Sequence, residues 1–70
     1  MTLEKLTLKT ARDKAKLTQE EASKLIGISK DTLSNYERGK SYPDIPVLKR
    51  IEEVYGVSYN QLIFLPSDNG

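Results

Sequence analysis

Seventy residues, 37% of them hydrophobic and 30% charged, are enough for one globular domain with a single small core. Cysteine and histidine are both absent, which excludes disulfides, thiolate metal sites and the commonest general base. The net charge of +1 is unevenly divided: residues 1–40 carry nine Lys/Arg against six Asp/Glu (+3), residues 41–70 two against four (−2). That asymmetry points the N-terminal part at an anionic partner, or else reflects chance clustering on a solvated surface. With apolar runs of four residues at most, no membrane span and no secretory signal are expected, and a cytoplasmic location is the default.

Four or five short helices fit the apolar periodicity, and no stretch alternates long enough for a dependable strand. Thr7 is placed to cap a first helix from about Leu8 to Lys16, with Leu8, Ala11 and Ala15 on one stripe. Thr18 caps a second, Gln19 to Ile26. Glu21 stands three residues on, at capping-box spacing, and Ala22, Leu25 and Ile26 supply the apolar face. Gly27 ends this helix, where a left-handed backbone is cheap only for glycine. Ser29 caps a third, Lys30 to about Arg38, which stops at Gly39.

After a loop at 39–43, Asp44 caps a fourth helix, with Pro46 tolerated in its first turn and Val47, Leu48, Ile51, Val54 and Tyr55 as its stripe. Gly56 stops it, and Ser58 caps a last short helix, about Tyr59 to Ile63. Leu3 and Leu6 are expected to lie extended against Ile63 to Leu65. The domain is expected to run over residues 1–65, with 66–70 as a frayed tail.

Residues 19–38 carry the functional signal: a capped helix, a turn at Gly27-Ile28-Ser29 and a second capped helix. A short glycine-containing turn between two short helices is the helix-turn-helix arrangement, though plain helical hairpins share it. Angular position sharpens the reading. At about 100° per residue, Lys30, Asp31, Ser34, Asn35 and Arg38 fall within an arc of about 140°, with Leu33 and Tyr36 on the other side. A solvated helix would also present a polar face, but would more often carry Glu and Lys four apart. Lysine, asparagine and arginine are instead the side chains that read guanine, adenine and phosphate.

The run Gln19-Glu20-Glu21-Ala22-Ser23-Lys24-Leu25-Ile26-Gly27-Ile28-Ser29, then Leu33-Ser34-Asn35-Tyr36-Glu37-Arg38-Gly39-Lys40 and Pro43, resembles the lambdoid phage repressor and Cro family, also called the XRE family. The resemblance covers roughly Leu8 to Leu62. It implies an all-α, compact bundle of four to five short helices and a sequence-specific regulator, a phage or bacterial repressor, that binds double-stranded operator DNA as a homodimer without a cofactor.

By the same resemblance, Gln19 meets a DNA phosphate at a helix N-terminus. Ser29, Lys30, Asp31, Thr32, Ser34 and Asn35 meet phosphate or base edges, with Lys30 suited to guanine and Asn35 to adenine. Asp31 departs from the glutamine often found there. Arg38 and Lys40 are backbone clamps. Tyr42 is left open between the sugar-phosphate and the core. Arg12 and Glu37 match a buried structural ion pair, and Ser23 replaces an alanine where two helices nearly touch. The competing reading is a protein-interaction module, an antitoxin or antirepressor on the same fold. An enzyme is not expected: the adjacent carboxylates Glu20-Glu21 and Glu52-Glu53 splay across a helix, and no phosphate cradle or metal spacing appears.

Overall fold

The computed structural model describes residues 5–64. In chain order it contains a two-residue strand β1 (Leu6–Thr7), helices α1 (Leu8–Lys14), α2 (Gln19–Ile26), α3 (Lys30–Glu37) and α4 (Ile45–Tyr55), a 3-10 turn (Tyr59–Gln61) and a second short strand β2 (Leu62–Ile63). Side-chain caps set every helical start. The oxygens of Thr7, Thr18, Ser29 and Asp44 accept from the backbone N–H three residues on, and Thr18 and Glu21 close the reciprocal capping box.

Around one core, α2 packs on both α3 and α4, and α1 lies against α3 and α4. Leu6, Leu8, Ala11, Ala22, Ile26, Leu33, Leu48, Ile51, Tyr55 and Leu62 form it. Ile26, Leu33 and Ile51 are its largest fully buried side chains, each contributing about 1.5–3 kcal/mol by leaving water. Ala15, Tyr36, Val47 and Val54 pack against its edge.

Three expectations need correction. Leu25 is 61% exposed rather than part of the α2 face. The helix buries Ala22, Ser23 and Ile26 instead, because small residues at 22 and 23 let it lie close to its neighbours and turn that arc inward. Leu25, displaced from the centre of the arc by roughly 110° at 100° per residue, is left in solvent.

Helix α1 ends at Lys14, two residues early, in a Schellman closure: Lys16 N–H donates to Asp13 O at 2.9 Å and Leu17 N–H to Arg12 O at 3.2 Å. Lys16 takes the left-handed position (φ 61°) that glycine usually fills.

The last helix is only a 3-10 turn, and Leu62–Ile63 is extended. Leu62 has to reach the core, where it is 8% exposed, and an extended backbone lets it pair in parallel with Leu6, and Ile63 with Thr7. Leu6 is thus extended beside the C-terminal segment as expected, but its partner is Leu62 rather than a residue of Ile63 to Leu65. Leu3, Leu65 and the tail at 66–70 lie outside the described residues.

Candidate nucleic-acid interface

The turn between α2 and α3 is built by three local features. Gly27 sits at φ 89° and its N–H donates to Ser23 O at 2.8 Å; Ile28 N–H donates to the same carbonyl at 3.0 Å. Ile28 packs against the core, and Ser29 Oγ accepts from Thr32 N–H at 3.0 Å while donating to Thr32 Oγ1 at 2.8 Å. The turn thus fixes where α3 starts, and buried Leu33 fixes its rotation.

That rotation leaves Lys30, Asp31 and Arg38 exposed and Ser34, Asn35 and Thr32 half-buried. Asn35 and Arg38, one turn apart, are linked by a long contact of 3.4 Å from Arg38 Nη2 to Asn35 Oδ1. Ser29 and Lys40 are exposed at the two ends of the same helix. Lys40 N–H donates to Asn35 O and Gly39 N–H to Tyr36 O, a second Schellman closure that directs the chain away after Glu37.

Beneath this surface lies a charged junction. Arg12 and Glu37 are each only 8% exposed. Arg12 Nε donates to Glu37 Oε2 at 2.7 Å and its Nη1 to Leu17 O at 2.8 Å. The bond to Glu37 holds the guanidinium pKa above its ordinary value, against the opposing pull of burial. Gln19 joins the pair, its Nε2 donating to Glu37 Oε1 at 2.9 Å. One carboxylate therefore ties the start of α2 and the body of α1 to the last residue of α3.

Spacing along the chain carries no sign of the Gln19 bond, because the two residues lie 18 apart. Beside the junction, Tyr55 has a hydroxyl with no hydrogen-bond partner among the described residues. Burial first, and then the charge of Glu37, push its pKa up to about 12.

Tyr42 is grouped elsewhere. It packs edge-on against Phe64 at a centroid distance of 6.2 Å and lines an apolar groove beside α4. Among the described residues no three His, Cys, Asp or Glu converge on a possible metal site, and no helix is long and apolar enough to cross a membrane.

Two helices joined by a glycine turn, the second held by one buried leucine and showing a polar face outward, make this a helix-turn-helix module. The chain belongs to the helix-turn-helix family, whose sequence pattern matches residues 8–62. It is 43% identical over 56 residues to the HTH-type transcriptional regulator ImmR of Bacillus subtilis (strain 168), a match that covers 80% of this chain and 44% of that protein. The chain thus spans less than half the length of this relative. No solved structure matches it.

Proposed function

We propose that these residues form the DNA-binding unit of a transcriptional regulator, with α3 read into the major groove of a double-stranded operator and two copies on two half-sites. One observation carries the reading: the face of α3 opposite buried Leu33 holds Lys30, Asp31, Ser34, Asn35 and Arg38, a set rich in base- and phosphate-reading groups and without an apolar side chain. Lys30 and Asn35 stand early and midway on that face for guanine and adenine edges, while Arg38, Lys40 and Ser29 flank it for phosphates. The N-terminus of α2, with Gln19, supplies backbone N–H groups that the helix itself leaves unpaired. Relatedness to a protein named as a transcriptional regulator supports the same reading, and a cytoplasmic location accords with it.

Selection of bound duplexes from random DNA, followed by titration at several salt concentrations, tests it. A defined half-site should emerge, and affinity for it should fall roughly tenfold or more over a few-fold rise in salt. Enrichment of no sequence, or salt-insensitive binding, would favour a protein partner instead.

A further inference from the structure

Of the five large hydrophobic side chains that stand exposed among the described residues, Tyr42 (51%), Ile45 (63%) and Tyr59 (53%) line one groove. Pro43, Leu48 and Phe64 complete its apolar lining, and Phe64 holds both tyrosines, 6.2 Å from one ring and 6.3 Å from the other. None of the α3 face residues lines it. A contiguous apolar patch on so small a domain marks an interaction surface.

The outer stripe of α4 identifies the occupant. Ile45, Lys49 and Glu52 line the groove, and at about 100° per residue Gly56, at the end of the helix, falls with them within roughly 60°. Lys49 has no ion pair among the described residues. Glu52 uses Oε2 to accept from Tyr59 N–H, which leaves its other oxygen for a cation.

This stripe is complementary to itself when reversed. Two α4 helices laid antiparallel about a two-fold axis, with Lys49 opposite Glu52, form that ion pair twice. The same register sets each exposed Ile45 against the partner's helix end at Gly56, where nothing lies within 4 Å of the position a Cβ would take, next to Tyr59. A two-fold interface is isologous, so one stripe has to satisfy itself. We infer that the α4 groove is the surface through which a second copy of this chain docks, antiparallel α4 on α4, with reciprocal Lys49–Glu52 pairs and Ile45 as the anchor. The inference rests on the proposed two-copy operator reading for its purpose, but not for its test.

Sedimentation equilibrium on the 70-residue chain should show a reversible monomer–dimer equilibrium. Ile45→Asp, at the first residue of α4 where an acidic group suits the helix N-terminus, should weaken the dimer at least about tenfold with the melting temperature of the dilute chain unchanged. Lys49→Glu alone and Glu52→Lys alone should each weaken self-association, since each sets like charges opposite one another. An equimolar mixture of those two variants should recover a dimer, because only the mixed pair restores both attractions. A chain that stays monomeric at several hundred micromolar, or a dimer insensitive to Ile45→Asp, overturns the proposal, and so does a mixture that recovers nothing. Binding of the Ile45→Asp chain to a single half-site is measured in parallel. Its retention with loss of dimer separates the groove from the reading of DNA, and a parent chain that dimerises as described yet binds no duplex condemns the DNA reading alone.

Discussion

Two sets of charged and amide side chains in this molecule resemble one another in composition and differ in everything that follows from burial. At the junction of α1, α2 and α3, Arg12, Glu37 and Gln19 bond to one another and the ion pair is 8% exposed at each end. On the outer face of α3, Lys30, Asp31, Asn35 and Arg38 meet solvent with one long contact among them. Arg12 and Glu37 have given up water and are committed to each other, with Gln19 half-buried at their edge; removing one charge strands the other in a poor solvent for charge. The second set keeps its hydrogen-bonding capacity open. The same chemistry holds the fold in one place and is available to a ligand in the other.

The largest expected effect tests the buried set. Glu37→Ala and Arg12→Ala should each cost about 3–5 kcal/mol, a fall in melting temperature of roughly 12 °C or more for a domain of this size. Neither should shift the DNA sequence preferred by the fraction that remains folded. Replacing both with well-packed apolar residues should recover much of the loss. Thermal melts read this directly, and a shift of one or two degrees for Glu37→Ala would place the pair with surface ion pairs, which contribute about 0–1 kcal/mol.

The exposed set should behave in the opposite sense. Lys30→Ala and Asn35→Ala should leave the melt unchanged and cost about 1–3 kcal/mol on the preferred operator, each relaxing preference at one base position. Lys40→Ala should weaken all sequences about equally and lower the salt slope by about one. If the selected sequence survived Asn35→Ala unchanged, the reading face would lie elsewhere on α3.

Tyr55 extends the comparison to a neutral group at the edge of the junction. Its pKa is raised from 10.0 to about 12, so the folded state disfavours the phenolate. The resulting stability is fully present below pH 10 and is lost as pH rises through about 12, because the unfolded chain ionises first. Melts across that window should fall for the parent and much less for Tyr55→Phe. At neutral pH Tyr55→Phe should melt no lower than the parent, since the hydroxyl is buried without a partner among the described residues.

The smallest effect concerns the two Schellman ends. Helix α3 closes with Gly39 at φ 78°, and α1 closes with Lys16 at φ 61°. A side chain in that region carries a steric cost that glycine avoids, so Lys16→Gly should raise stability by about 0.5–1 kcal/mol. Denaturant titration should show a higher midpoint, and a lower one would mean that the Lys16 side chain contributes more than its backbone costs.

What was legible in the sequence was what depends on neighbours in the chain. Thr7, Thr18, Ser29, Asp44 and Ser58 were readable as caps because capping acts over three residues, and Gly27 was readable as a turn because its left-handed backbone is a local requirement. The polar arc of α3 followed from helical geometry alone.

Tertiary structure decided the remainder. The inward arc of α2, and with it the exposure of Leu25, depended on which neighbours that helix met. The extended backbone at Leu62–Ile63 came from the need of Leu62 to reach the core beside Leu6. Gln19 found Glu37 across 18 residues of chain, and Tyr42 met Phe64 across 22, beside the α4 groove. Such contacts are settled by competition among many side chains for one small core, which no local pattern records.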